Sequence, residues 1–584
     1  MSRGVIADRT KLSMFVARRG LRTALARLNA HRLVRWRFAS AGTDRLVISP
    51  QDLRTADPTR ASEIYAGRFA FAGKIVVCDG RSPFEMTPPS DEWAETLLGF
   101  GWLRHLRAAE SGITRANARA LVDEWIMLQG SLEPIAWRPD IVARRILSWL
   151  SQSPLVLHDG DAKFYRRFLR SLTRHLRYLR RTASTARDGL PRLQCLIALT
   201  AGSLCLAGQE RLLKAMTRRL ADELQRQILP DGGHASRNPG ALIELLLDLL
   251  PLRQTFSARN VPPPEALNNA IDRMMPMLRF FRHGDGVFAH FNGMGPTPAD
   301  WLATVLAYDD ARGEPVANAP HSGYQRLQTG GALVLIDTGR PPPMGLSYEA
   351  HAGCLSFELS SRQNRIVVNC GLPATNRDGW RPAARATAAH STATIAEASS
   401  CRFLAAGSLQ RLLGIPVLAG PSSVPVAREE RNDGIMLRAS HDGYADRFGL
   451  LHERTMLLSA DGARLEGEDA FLPAWGKTLP VNKEDAFAIR FHLHPAVKAS
   501  RLSDGHGVML ILANREAWTF AAYDDKVDLE ESVYLAGTDG PRRTVQIVVH
   551  GHARQTPHVH WVFTHVERRT GSRRDGANEP WLPL

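Results

Sequence analysis

Residues 348–371, YEAHAGCLSFELSSRQNRIVVNCG, and residues 380–395, WRPAARATAAHSTATI, decide how this chain of 584 residues is read. Leu355, Phe357 and Leu359 alternate with Ser356, Glu358 and Ser360, the period-two pattern of a half-buried strand. Ile366–Val368 is a second β-branched run, closed by Asn369-Cys370-Gly371. His351 falls just before the first predicted strand and His390 just before a third, Thr392–Ile395, with Trp380-Arg381 and Arg385 between them. Strand ends of this kind present side chains to a cleft from a rigid scaffold.

Outward from this stretch the character of the chain changes once, near Pro315. Before it, apolar residues recur at three- and four-residue spacing over Trp93–Leu106, Ile141–Leu150, Lys163–Leu179, Leu190–Leu206, Arg211–Ile228 and Ala241–Leu250. Segments such as Pro230-Asp231-Gly232-Gly233 and Pro262-Pro263-Pro264 separate them. Consecutive helical hairpins predict a toroid or superhelix of helix pairs. After Pro315, short β-type runs follow with Gly-, Asp- and Asn-rich turns: Ala332–Ile336, Arg464–Glu466, Phe487–His492, Val508–Leu512 and Val545–Val549. That pattern predicts an antiparallel β-sandwich. The expected divisions are a basic segment of mixed structure over 1–88, a helical domain over 89–314, a sandwich over 325–566 and a polar basic tail over 567–584.

The formal net charge is +15, and residues 1–40 hold ten Arg or Lys against the single acid Asp8. Lys163, Arg166, Arg170, Arg174, Arg177 and Arg181 recur at helical spacing opposite Phe164, Phe168, Leu172, Leu176 and Leu179. Such a face is either simply solvated or attracts a polyanion. Nucleic acid fits the charge, but no nucleic-acid module accompanies it, so that reading rests on charge alone. The Arg-rich amino terminus also fits peripheral contact with an anionic envelope surface. It has no continuous apolar core of a signal peptide, and no window of about 20 apolar residues occurs, so the sequence predicts a cytoplasmic protein without a membrane-spanning helix. Six scattered cysteines without a Cys-x-x-Cys pair argue against a zinc ribbon or a disulfide framework. Phosphate loops, Gly-x-Ser-x-Gly elbows and His-Glu-x-x-His motifs do not occur.

The segments Ala350-His351-Ala352-Gly353-Cys354-Leu355-Ser356-Phe357-Glu358, Val368-Asn369-Cys370-Gly371, Trp380-Arg381, Arg385 and Thr387-Ala388-Ala389-His390-Ser391-Thr392 resemble the C-terminal domain of heparinase II/III and alginate lyase type polysaccharide lyases. Upstream, Gln227–His234 and Phe280–Gly286 resemble that family's helical domain, so the resemblance spans roughly residues 90 to 560. It implies an incomplete α/α toroid followed by an antiparallel β-sandwich. It further implies a lyase that cleaves an acidic, uronate-containing polysaccharide by β-elimination, and a cell-envelope or periplasmic location as the alternative to the cytoplasm.

β-Elimination requires a group that neutralises the uronate carboxylate, a Tyr or His that takes the proton, and a donor for the leaving oxygen. By the resemblance, His234, Tyr348, Glu349, His351 and Arg385 are the candidate catalytic residues, and Trp380, Arg381 and Arg385 the candidate substrate-binding ones. His234, His351, Arg385 and His390 are expected to converge on one cleft, with His234 coming from the opposite domain. His351, Asn369 and His390 stand at the positions of the family's zinc triad. Asn369 replaces an aspartate, and an amide oxygen is a poor substitute for carboxylate on zinc, so zinc is expected to be absent or weakly held. Other departures are Glu349 for a histidine, Gly353 for an acid, Gly240-Ala241 for a tyrosine, Ala383-Ala384 for a Tyr-Phe pair and Arg187–Pro191 for an Asn-His pair. The alternative reading is therefore a non-catalytic protein that binds a polyanionic or envelope glycan on the lyase fold.

Overall fold

The computed structural model describes residues 3–30, 45–128, 134–309, 313–404, 416–474, 484–503, 505–523 and 525–566. The predicted tail over 567–584 lies outside the described residues. The longer helices of the first half are α1 (Arg3–Ala30), α2 (Asp91–Gly99), α3 (Gly112–Leu128), α4 (Pro139–Ser151), α5 (Ala162–Thr182), α6 (Leu190–Cys205), α7 (Glu210–Gln227), α8 (Gly240–Ala258), α9 (Glu265–Phe280) and α10 (Ala299–Leu306). An antiparallel hairpin, Arg68–Phe71 with Lys74–Val77, precedes α2.

Local chemistry explains several of these elements. Asp161 caps α5 by accepting the Phe164 N–H at 2.5 Å, satisfying one of the free donors of the first turn. Phe164, Phe168, Leu172, Leu176 and Leu179 of α5 are buried while its arginine stripe faces outward. α6 is buried on nearly every side, which is why its sequence reads as a continuous apolar run. Between α2 and α4 the core is aromatic, and the buried Arg145 lies 4.1 Å over the Trp125 ring while donating to the carbonyls of Leu98 and Ala136.

The second half is a two-layer β structure in which the neighbouring strands pair antiparallel. One sheet runs in the order Val527–Tyr534, Arg542–His552, Ala486–Leu493, Asn364–Val368, Phe357–Ser361, Ala332–Asp337, Tyr324–Thr329, Asn318–Ala319. The other runs Val426–Arg431, Gly434–His441, Leu450–Ser459, Arg464–Pro473, His558–Val566, Ala517–Ala522, Gly507–Ile511, Lys498–Arg501. Phe357, Phe491, Phe520, Trp561 and Phe563 interlock between the layers, with Phe357 and Trp561 stacked at 5.6 Å.

The strand after His351 differs from its sequence reading. It begins at Phe357, and Leu355 adopts a left-handed φ of 62°. All five strand residues are buried, including Glu358 and Ser360. The polar face expected to meet water is covered by the helical half: His283 donates or accepts at Ser360 Oγ (2.9 Å) and contacts Glu358 Oε2 (3.0 Å). A second tie lies nearby. Arg237, just before α8, donates to the carbonyls of Ser322 and Gly323 and pairs with Asp337 at 2.5 Å, while Tyr324 O–H donates to the Arg237 carbonyl. These buried polar contacts fix how the two halves meet, and so fix the cleft between them.

Candidate functional site

A cavity of about 620 Å³ opens where the halves join. Helical residues contribute Arg187, Asp188, His234, Asn238 and Glu244; the sheet half contributes Tyr348, Glu349 and Arg377; and α1 contributes Phe15, Arg19 and Arg22. A cavity of this volume with mixed polar and apolar lining at a domain junction is the usual form of a ligand site.

Glu349 sits near the centre of the charge pattern. Its carboxylate accepts from Arg377 Nη2 at 3.1 Å and Arg381 Nη2 at 3.2 Å. Both arginines belong to a short helix, α11 (Arg377–Ala384), which the sequence reading did not anticipate. Gly293 makes this approach possible: its φ is +86°, and a Cβ there would lie 2.7 Å from Glu349 Oε2. Tyr348, the neighbour of Glu349, has Arg187 over one side of its ring at 4.6 Å and Arg381 at 4.4 Å, and its hydroxyl accepts from Arg381 at 2.9 Å. Cation–π contacts of this geometry hold a ring in place.

His234 reaches the cavity from the helical half, but its ring is fully engaged. Nδ1 accepts the Ser236 backbone N–H at 3.1 Å and lies 2.7 Å from Ser236 Oγ, and Nε2 lies 2.8 Å from Gln227 Oε1. That pattern places the proton on Nε2, directed at the glutamine oxygen. Burial, with a smaller contribution from Arg226, lowers its pKa to about 4, so the ring is neutral.

The remaining sequence candidates lie behind this surface, His351, Arg381, Arg385 and His390 buried and Trp380 half-buried. His351 Nδ1 lies 3.0 Å from His390 Nε2, and His390 Nδ1 donates to the Ala386 carbonyl at 2.8 Å. Arg385 donates to the carbonyls of Ala350 (2.5 Å) and Ser347 (3.0 Å), so it holds the backbone that carries Tyr348 and Glu349. Trp380 packs beside the apolar cluster of Cys370, Leu372, Ala384 and Leu535. The structure thus brings His234, Tyr348 and Glu349 together on the cavity and sets His351, Arg385, His390, Trp380 and Arg381 outside its described lining. Missed from the sequence were Arg19, Arg22, Arg187 and Arg377. The excess of arginine in residues 1–40 was the available signal for the first two.

The donor set does not suit zinc. Asn369 Oδ1 accepts the Ser391 N–H at 3.0 Å and its amide nitrogen points at Glu358. That leaves two imidazoles already bonded to each other, without an anionic third ligand. Among the described residues there is no group of three or more His, Cys, Asp or Glu able to hold a metal ion.

Comparison with known proteins agrees with the fold. The family model for the heparinase II/III-like C-terminal domain matches residues 311–562. FtsZ-localized protein C of Caulobacter vibrioides is 31% identical over 558 residues, covering 92% of each chain. A crystal structure of heparinase III is 14% identical with a TM-score of 0.72, covering 90% of this chain and 87% of that one. Heparan sulfate lyase HepC from Pedobacter heparinus is 15% identical with a TM-score of 0.58, covering 93% and 88%. The helical half is thus an α/α toroid and the second half a β-sandwich, and the chain belongs to the heparinase II/III-like family.

Proposed function

We propose that this protein binds an acidic, uronate-containing polysaccharide in the cavity between toroid and sandwich, and that its action there stops at binding. One observation carries this reading: His234 and Glu349, two of the three candidate proton-transfer groups on the cavity, are already committed. His234 has both ring nitrogens occupied, and Glu349 is tied to Arg377 and Arg381. Arg19 and Arg187 face the same space and, among the described residues, have no carboxylate within ion-pair reach, which suits an anionic sugar. The test is a calorimetric titration of purified protein with a panel of acidic oligosaccharides, run beside an ultraviolet assay for the double bond that elimination creates. Binding without an absorbing product is expected. Sustained product formation would overturn the reading.

That product would favour the lyase reading, which one observation supports: Tyr348 presents a phenol to the cavity between two guanidinium groups. In that case Tyr348→Phe abolishes turnover while leaving saccharide affinity within about threefold, the pattern of a lost acid–base group.

The relative's name supports a place for this protein as well. A chain 31% identical over 92% of its length to an FtsZ-localized protein is proposed to act with the division machinery on the cytoplasmic side. No helix among the described residues is long and apolar enough to cross a membrane. The outward face of α1 carries Met14, Leu21, Leu25 and Leu28, exposed by 63, 63, 43 and 59%. Apolar residues on an arginine-rich helix suit peripheral contact with an anionic envelope surface. A fluorescent fusion that stays diffuse in dividing cells would remove the first proposal, and failure to co-sediment with anionic vesicles the second.

A further inference from the structure

We infer that arginines of α1 and of the loop before α6 form a receptor for an oxyanion, and that the bound anion clamps α1 over the cavity. This deepens the acidic-ligand reading and rests on it for the identity of the natural ligand, but not for the existence of the site. Arg19 and Arg22 of α1 line the same wall as Arg187 and Asp188. Asp188 is shared by three cations: Arg192 pairs with it closely, Arg22 Nη1 lies 3.7 Å away and Arg226 Nη2 3.8 Å. Arg226 is also satisfied by Glu223. Arg19 and Arg187 complete the group and, among the described residues, have no ion-pair partner.

Five guanidinium groups therefore gather around Asp188, and among the described residues their ion pairs involve one further acid, Glu223. Arg19 feels the imbalance: burial, then Arg187 and Arg22, depress its pKa below the usual arginine value. Like charges collected in a half-enclosed wall repel one another, and they stay together most favourably around a counter-ion. Guanidinium forks match phosphate, sulfate and carboxylate oxygens bidentately. One half of the receptor rides on α1 and the other on the toroid, so whatever fills it couples helix docking to cavity occupancy. Phosphate or sulfate esters on the saccharide and free inorganic anions share this chemistry.

Hydrogen exchange of the α1 amides in the full-length protein tests the clamp, comparing sodium phosphate with sodium chloride at equal ionic strength. Phosphate is expected to slow exchange over residues 12–28 by about tenfold or more relative to chloride. The Arg19→Gln variant gives a sign that a merely structural arginine would not. In chloride its α1 exchanges more slowly than wild type, because repulsion is relieved, and phosphate then adds nothing. Arg170→Gln, on the outward face of α5, keeps the full phosphate effect. A sulfated disaccharide that protects α1 where its unsulfated counterpart does not identifies the sugar's own anion as the clamp. Protection by phosphate but by neither disaccharide leaves the anion site standing and removes the saccharide. Equal protection in phosphate and chloride, or faster α1 exchange in Arg19→Gln, overturns the inference.

Discussion

Glu358 is fully buried and accepts from both halves of the molecule, so its replacement measures how strongly they are joined. Its Oε1 accepts the His290 N–H at 2.9 Å and the Asn369 N–H at 3.0 Å, and its Oε2 lies 3.0 Å from His283 Nε2. Burial works to raise its pKa, but His290 and the bonds from His283 hold it well below the usual carboxylate range. Glu358→Ala leaves these three buried donors without their acceptor. At about 1–3 kcal/mol per unpaired donor, and with a water able to enter the space and meet some of them, the loss should be about 4 kcal/mol. Glu358→Gln keeps an oxygen for the two backbone donors and should cost about 1 kcal/mol. Urea denaturation followed by tryptophan fluorescence reads both. In the alanine variant the transition should also split, because the toroid loses a tie to the sandwich and a chain of this size need not unfold in one step. If alanine costs under about 1 kcal/mol, or glutamine costs as much as alanine, Glu358 does not join the halves.

Three further outcomes follow from the same geometry. Arg381 is buried and loses a carboxylate in Glu349→Ala, which should destabilise the protein by about 1–3 kcal/mol, whereas Glu349→Gln should recover most of that loss; equal losses in a denaturant titration would contradict the pairing. Burial lowers His105, His234 and His390 to about 4 and His492 to about 3, so each takes up a proton on unfolding between its folded value and the ordinary value near 6.5. Stability is therefore complete above about pH 6.5 and falls toward pH 4, by up to about 1.4 kcal/mol per pH unit for each histidine; a melting temperature that is flat between pH 6.5 and 5 would refute this. Dialysed protein should hold well under one zinc per chain by elemental analysis, and one tightly bound zinc would reveal a ligand beyond His351, Asn369 and His390.

The fold was legible because periodicity reports which faces are apolar, and the switch from helical to alternating spacing at Pro315 coincides with the passage from α10 to the first strand of the sandwich. Periodicity fails where a polar face is buried against a second layer. Glu358 and Ser360 looked solvent-facing for that reason, yet His283 covers both, and a pairwise match across 75 residues leaves no local mark. The candidate site divides along the same line. His234, Tyr348 and Glu349 were recoverable from short motifs, while Arg187, Arg377 and the arginines of α1 reach the cavity from three distant segments that only the folded chain assembles.

The departures from the family pattern are also easier to understand together than singly. At position 353 a Cβ would stand 2.7 Å from His390 Cδ2, so Gly353 admits the ring that pairs with His351. At position 349 the glutamate draws in Arg377 and Arg381, and Arg381 in turn braces Tyr348. An aspartate at 369 could not donate to Glu358 as the Asn369 amide does, and would place a second carboxylate beside the first in a buried site, where like charges are costly. Glu349 and Asn369 each supply a group that closes a local hydrogen-bond or charge arrangement, while Gly353 supplies the room for a ring. What faces the cavity is Arg19, Arg22, Arg187 and Arg377 against Asp188, Glu244 and Glu349, an excess of arginine that is electrostatically complementary to the anionic chain proposed above.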